Sequence, residues 1–536
     1  MMQNHSATTK RNEKKAGRLV TVLIPTYNRR RFLPVALASV VRQDYSNLEI
    51  FVIRDGGEQV SDIVSSFNDP RIIFIDRAEN RGVAFTLNEA LVRAQGKYIC
   101  YLGDDDLYYP HHVSTLLDAL ENGSDCDVAY SDLYKTYCRL RPDGSREVLS
   151  KVVEISRDFD RFFMLYFNHA LHVSLMHRAD LIEKTGLYNE QLNVLIDWDI
   201  TRRLVFFSDF HHVHEITGEF YSPIDGSDRI SVKRRKDQSE YLRNVLAIRT
   251  TRPAKPWPKL DDMSIIFAAD RLNKQAGETI GSIWRHTFYP YEIYLPLPQA
   301  DIAKLNTDMP NMVLVPVDPL ASQTQRIDTA LAKCDGRYVA IVPNGLPIEE
   351  MWVENSLYAL INSSMSNEAF ELESSTDNLW AAVIRKDDLQ YARENFPNLS
   401  VRQSLTAAGI KLRQPSFEEL PFQFDDLLQQ ARLAEKDGNW AEAAQMFEYI
   451  AEHFANDLWM KSLAAKASYK ASDYAKASQL SNEVNRQRPT VDTFLLEAKI
   501  NREKKNFSAA IELLETAEQI LIGKTHYLVS THTNTD

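Results

Sequence analysis

Short apolar runs that close on polar turns, alternating with helical stretches, constrain this chain more than any other feature. The run RLVTVLIPTYN ends in a Pro-Thr-Tyr-Asn turn, and such a run suits a parallel strand covered on both faces. A helical stretch follows, RRFLPVALASVVRQ, with Leu33, Leu37 and Val40/Val41 on one face. LEIFVIRDGG is the next strand and breaks at Gly56-Gly57. After it come RIIFID, the helix AFTLNEALVRA and the strand KYICYLGDDD. This alternation predicts an α/β doubly wound domain, in which ligands bind outside the carboxyl ends of the strands. The polar residues expected at those ends are Thr26, Tyr27, Asp55 and the run Asp104-Asp105-Asp106.

The pattern occurs twice. DMSIIFAADRLN is similar to RLVTVLIPTYNR, and SIWRHTFYPYEIYLPL to SVVRQDYSNLEIFVI. DTALAKCDGRYVAIVPNG is similar to NEALVRAQGKYICYLGDD, and LWAAVIRKDDL to LHVSLMHRADL. Four matches in one order predict an internal duplication over residues 259–418. The copy has lost its polar strand ends. Pro343-Asn344-Gly345 stands in place of the acidic run, and Leu297-Pro298 stands near the place of Asp55. A degenerate α/β domain without metal chemistry is expected there.

A third region is periodic at longer range. Gly438–Ala443 (GNWAEA) recurs as Ser472–Ala477 (SDYAKA) and Lys505–Ala510 (KNFSAA), which spaces Trp440, Tyr474 and Phe507 by 34 and 33 residues. That is the tetratricopeptide period of about 34 residues, a helix-turn-helix unit that stacks on its neighbours. Pro489 ends the second unit, where a helix must stop. An all-α repeat domain over 422–525 is expected, either as a groove for a protein partner or as a self-association module. The division is then a tail (1–17), a first α/β domain (18–258), its degenerate copy (259–418), the repeats and a second tail (526–536). Three or four domains also suit a chain of 536 residues.

Composition excludes several classes. A net charge of −12 argues against nucleic-acid binding, because phosphate neutralisation needs a basic surface. Cys100, Cys126, Cys138 and Cys334 are scattered without a CxxC pair, so neither a disulfide framework nor a zinc knuckle is expected, and a reducing cytoplasm is. No segment approaches the ~20 apolar residues that span a bilayer. The lead-in MMQNHSATTKRNEKKAGR lacks the apolar core of a secretory signal. It is basic, which allows a weak peripheral pull toward an anionic membrane surface.

Chemistry concentrates at YLGDDDLYYP. Three adjacent carboxylates repel one another and resist desolvation, and a divalent cation relieves both. Hard oxygen ligands at this density suit Mg²⁺ or Mn²⁺; the plainer alternative is a solvated Asp-rich turn. His211, His212 and His214 catch the eye, but two imidazoles without a third nearby ligand are expected to be partly exposed strand residues rather than a zinc site. His172 and His177 flank the apolar strand HVSLMHR, as hydrogen-bonded core residues or as part of an acceptor-side strand. Asn80-Arg81-Gly82 either brings Arg81 to a diphosphate or forms a plain turn. The basic segment Gly226–Lys236 reads as a lid or as a charged helix start.

Taken in order, Pro25-Thr26-Tyr27-Asn28-Arg29, Asp55-Gly56-Gly57, Gly96-Lys97-Tyr98 and Asp104-Asp105-Asp106 resemble family 2 glycosyltransferases of the GT-A fold, over about residues 18–230. The resemblance implies a nucleotide-sugar donor, a UDP-sugar, whose uracil and ribose are lined by Pro25, Thr26 and Tyr27. It implies that Asp55 binds the base, with Arg54 replacing the family's preceding Asp. The family's DxD motif resembles Gly103-Asp104-Asp105, so Asp105 is the implied metal ligand, supported by Asp106, with Asp104 against the ribose or sugar. The family's late acidic stretch resembles Leu195-Ile196-Asp197-Trp198-Asp199-Ile200, which makes Asp197 the implied base and Asp199 its rival. An acceptor hydroxyl must lose its proton as it attacks the anomeric carbon, and burial beside Trp198 would raise an Asp pKa toward that use. The plainer reading of Asp197 is a helix N-cap.

The expected activity is an inverting, Mn²⁺- or Mg²⁺-dependent transfer of a sugar to a hydroxyl of a protein or polysaccharide acceptor. The competing reading is an inactive, glycosyltransferase-like scaffold that works through its tetratricopeptide repeats; the substitutions at Arg54, Gly103 and Ile196 speak for it. A nucleotidyltransferase lacks support, because no Gly- and Lys/Arg-rich phosphate loop follows the first strand.

Overall fold

The computed structural model describes residues 18–529 except 124, 144, 154–155, 225–237, 270, 304–310, 347, 364–366, 373–379, 422, 455–457 and 488. The tail 1–17, the lid segment Gly226–Lys236 and residues 530–536 therefore lie outside the described residues. The last helix runs through Val529, so helix and not tail occupies 526–529.

The first apolar run becomes β1 (Val20–Thr26), the centre of a nine-stranded sheet. Its partners are β2 (Leu48–Asp55), β3 (Ile72–Arg77), β4 (Tyr98–Tyr101), β5 (Leu107–Tyr108), β6 (Val128–Leu140), β7 (Arg146–Val152), β8 (Leu175–Arg178) and β9 (Phe210–Pro223). The order is β3-β2-β1-β4-β8-β6-β9-β5, with β7 on β6. β1 is parallel to β2 and β4, while β8 runs antiparallel between β4 and β6. Apolar side chains fill both faces, so β1 and β2 bury nearly every residue. Thr26, Asp55 and the Asp104–Asp106 run emerge at one end, as the alternation predicts.

A second sheet contains β10 (Met263–Ala268), β11 (Tyr291–Pro298), β12 (Met312–Val317), β13 (Tyr338–Pro343), β14 (Glu368–Glu371), β15 (Ala382–Arg385) and β16 (Lys411–Arg413). Its order, β12-β11-β10-β13-β15-β14-β16, follows that of β3 to β9 strand for strand. The senses agree too, with β15 antiparallel between β13 and β14, and β16 parallel to β14. One local device recurs. Gly96 N donates to Thr21 Oγ1 (3.1 Å) and Gly336 N to Ser264 Oγ (3.0 Å). At each glycine a Cβ would lie 2.6 Å from the backbone nitrogen of that hydroxyl residue, a distance no side chain tolerates.

One apolar core runs through both sheets. Phe162 meets Tyr289 with ring centroids 5.4 Å apart, and Tyr166 meets Phe288 at 5.1 Å. The fully buried Arg202 donates to Thr251 O, Arg249 O and Phe288 O at 2.8–3.0 Å, so its two Nη atoms tie the first unit to the joining chain and to the second unit.

Six helices complete the described chain: Gln423–Lys436, Trp440–His453, Leu458–Lys470, Tyr474–Gln487, Val491–Glu503 and Phe507–Val529. They enclose a core of their own. The three turns before Trp440, Tyr474 and Phe507 are alike. Gly438, Ser472 and Lys505 all take positive φ (81°, 65° and 60°), the left-handed ending common at helix C-termini. This region returns to the first sheet domain, where Arg157 pairs with Asp425 at 3.0 Å and stacks over Phe163 and Phe424.

Candidate active site

The acidic run forms a tight turn because Asp106 N donates back to Gly103 O at 3.1 Å, while Leu102 N holds β1 through Leu23 O at 3.0 Å. A Cβ on Gly103 would lie 2.9 Å from Asp106 Oδ2 and 3.1 Å from Asp105 Oδ1. The two carboxylates thus share the space over a residue that has no side chain, and a family-type Asp there would crowd them. Tyr221 N donates to Asp106 Oδ1 at 3.1 Å and fixes it from β9. Asp104 is buried. Desolvation, and then the Asp105 charge, push its carboxyl up to about 7. Arg29 answers this charge, with Nη1 2.5 Å from Asp105 Oδ2 and 3.3 Å from Asp104 Oδ1. Sequence reasoning quoted Arg29 in the turn but gave it no role; its signal was a cation at the end of β1, facing the end of β4.

The donor set fits a hard divalent cation. Asp105 and Asp106 offer carboxylate oxygens over the bare Gly103, and a crowd of negative charge is held by one guanidinium. Beside it a cavity of ≈ 270 Å³ opens between the strand ends and the segment before β8, lined by Pro25, Tyr101, Gly103, Asp106, His172 and Phe220 among others. Thr26 is buried at the end of β1, and Tyr27 stands half exposed.

Asp55 sits at the end of β2 and is bonded to its own loop. Its Oδ1 accepts from Arg77 Nη1 (2.6 Å) and Arg81 N (2.9 Å), and its Oδ2 from Asn80 Nδ2 (3.0 Å) and Gly82 N (2.9 Å). A carboxylate has about four acceptor positions, and here all four take part in folding the loop 77–82. Arg81 is held by the same loop, with its guanidinium 3.4 Å from the centroid of the Phe85 ring. Arg54, in place of an Asp, is turned to β3: it pairs with Asp76 and donates to Gly57 O at 2.7 Å.

Asp197 is the second residue of the helix Ile196–Leu204. The cap position belongs to Leu195, in a left-handed conformation (φ 62°) without a side-chain cap bond. The N-cap reading is therefore corrected. Asn168 Nδ2 donates to Asp197 Oδ2 at 3.2 Å, and burial raises the carboxyl pKa. The Asp197 charge also bears on the Tyr188 hydroxyl, which bonds His172 Nε2 at 2.7 Å in the cavity wall. Asp199 is elsewhere, fully buried in a 2.6 Å pair with Arg203. His177 bonds the Tyr101 hydroxyl at 2.7 Å, and His172 stacks on that ring at 4.0 Å. Burial lowers both imidazole pKa values, to about 4 and about 3, so both are neutral core residues. His212 and His214 are β9 residues, His214 exposed as expected, but the premise that no third ligand lies near them is corrected, because Asp132 and Asp158 stand against them.

Residues 21–178 match the family model of Glycosyl transferase family 2. The putative colanic acid biosynthesis glycosyl transferase WcaA of Escherichia coli (strain K12) is 39% identical over 106 residues, which is 19% of this chain and 38% of that relative. An uncharacterized glycosyltransferase of Rickettsia prowazekii (strain Madrid E) is 28% identical over 209 residues, 37% of this chain and 62% of the relative. The chain thus spans less than two thirds of the length of either. Among solved structures, S. aureus TarS 1–349 in complex with UDP-GlcNAc aligns at 17% identity and a TM-score of 0.36, covering 44% of this chain and 68% of that one. The segment that matches the family 2 glycosyltransferase model thus lies within the first α/β unit, on the strands β1 to β8.

Proposed function

We propose that this domain moves a sugar from a nucleotide-sugar donor, a UDP-sugar, to a hydroxyl of a protein or polysaccharide acceptor, with inversion at the anomeric carbon. The observation that carries the reading is the cavity that Pro25, Gly103, Asp106 and His172 line together, beside the carboxylates that crowd over Gly103. Asp105 and Asp106 would hold Mn²⁺ or Mg²⁺, which when bound neutralises the departing diphosphate. Pro25, Thr26 and Tyr27 line the nucleoside, and Asp55 serves them by folding the loop that carries Arg81. Asp104, the buried carboxylate of the run, lies against the sugar or ribose. Asp197 takes the acceptor proton, its basicity raised by desolvation.

Residues 259–418 are read as a degenerate GT-A-like copy, on the shared strand order. Residues 422–525 are read as tetratricopeptide repeats for a protein partner or for self-association, on the recurring turns. No described helix is long and apolar enough to cross a membrane; the reading is a cytoplasmic enzyme, peripheral where it meets a membrane.

The test is a screen of UDP-sugars for nucleotide release, with and without Mn²⁺. Release that depends on Mn²⁺ and is nearly abolished by Asp105→Asn is the expected result. One observation favours the scaffold alternative: Arg29 already pairs with both Asp104 and Asp105. That reading requires no release from any donor.

A further inference from the structure

The start of β9 brings together a second cluster of ligating side chains, distinct from the acidic run. His212 faces Tyr130 across the β6–β9 ladder, and its ring stacks on that tyrosine at 4.7 Å, 3° from parallel. The register then slips: Val213 pairs with Ser131, but Asp132 pairs with Ile216. Such an irregularity re-aims side chains. Here it gathers Asp132 on β6 and His212 and His214 on β9, whose ligating atoms all lie within 4.8 Å of one another.

Asp132 Oδ1 lies 3.0 Å from His212 Nε2. Asp158, in the segment before the helix Arg161–Tyr166, lies 2.9 Å from His212 Nδ1 and 2.8 Å from His214 Nε2. The side chains of Asp132 and His212 are only 2% and 3% exposed, whereas His214 and Asp158 reach solvent. A buried carboxylate needs a compensating partner. A third imidazole adds to the case. His169 packs edge-on against the same Tyr130 ring, buried, with neither nitrogen hydrogen-bonded; an unsatisfied buried ring of this kind marks a missing partner.

We propose that Asp132, His212 and His214 form a binding site for a divalent transition-metal ion, Zn²⁺ being the best match, with Asp158 holding the other nitrogen of the His212 ring. Two imidazoles with carboxylate oxygens are a zinc-type donor set, softer than the all-oxygen set at Asp105 and Asp106. Two neutral imidazoles and two carboxylates balance the charge of a divalent ion. Asp132 and His212 are already fixed by burial, while His214 reaches solvent, which supplies the entry path a metal site requires. The ion would tie the first turn of β9 to the segment 156–160, next to Arg157, which carries the ion pair to Asp425 in the C-terminal helices.

The experiment uses the full chain, stripped with chelator, loaded with Zn²⁺ and desalted, with zinc then measured by mass spectrometry and binding by calorimetry. Wild type and Asp105→Asn should each retain one zinc, and Zn²⁺ should raise the melting temperature of both. His214→Ala changes an exposed side chain and should fold normally; it should bind zinc at least about 10-fold more weakly and lose the thermal shift. Asp132→Asn should behave likewise, provided that its circular dichroism matches wild type. The proposal is overturned if wild type retains no zinc, or if His214→Ala binds as tightly as wild type. Zinc lost in Asp105→Asn but kept in His214→Ala would also overturn it, by assigning the ion to the acidic run.

Discussion

At the scale of single residues, Asp197 and Asp199 are two positions apart on one helix yet belong to different environments. Asp197 accepts a hydrogen bond from Asn168 Nδ2, whereas Asp199 is locked to Arg203. Asp197→Asn should keep its melting temperature and lose about 10²–10⁴ in transfer rate, the worth of a positioned base. Asp199→Asn should do the reverse, lowering the melting temperature by weakening a buried ion pair. Comparable activity losses in both, at wild-type stability, would remove Asp197 from its role. The pH dependence carries a sign. Burial raises the Asp197 pKa, and the base must be ionised, so kcat/KM should climb with pH through that raised pKa. A pH–rate profile of Asp197→Asn should lack this acid limb. The acidic run and Asp197 were legible because adjacent carboxylates and a family-like stretch stand out in sequence. Arg29, Asp132 and the full commitment of Asp55 were not, because each depends on which side chain another strand presents.

At the scale of elements, β1 to β4 and β8, with their counterparts β10, β11, β13 and β15, were legible from apolar runs and their repetition, and so were the three helical turns from their period. The slip between β6 and β9 left no such trace: FHHVHEI alternates without a glycine to mark it. Burial of charge inside elements was equally silent. Glu354, on the helix Trp352–Asn362, accepts from Phe288 N (2.7 Å) and Tyr289 N (3.0 Å) through Oε1, while Oε2 has no partner. Desolvation pushes its carboxyl from 4.5 to about 7. The folded state therefore holds this proton more tightly than the unfolded chain does. Stability is greatest below the unfolded pKa and falls as pH rises through the window from 4.5 to about 7. Glu354→Gln should remove that fall. Urea unfolding at pH 5 and pH 8 should show wild type losing on the order of 1–3 kcal/mol relative to the variant, and equal pH dependence in both would refute the assignment.

At the scale of the whole molecule, two sheets of like order present unlike strand ends. The first ends in Asp104–Asp106, while the second ends in Pro343-Asn344-Gly345, with a Cβ on Gly345 blocked by Gln275 at 2.5 Å. Calorimetric titration of the full chain with UDP and Mn²⁺ should give a stoichiometry of one, and two sites of similar affinity would mean that the second sheet has kept a nucleotide site.

The core shared by the two sheets has a further consequence. Phe162, Tyr166 and Arg202 on one side and Phe288, Tyr289 and Tyr358 on the other leave no plane along which the sheets can part without exposing aromatic rings and the fully buried Arg202 guanidinium. The C-terminal helices, whose core is separate, have such a plane. Heating the protein should thus produce two heat-absorption peaks rather than three, with both sheets melting together in one cooperative transition and the helices in the other. A ligand of the first sheet would then shift the melting of the second by the same number of degrees, although it touches none of its residues.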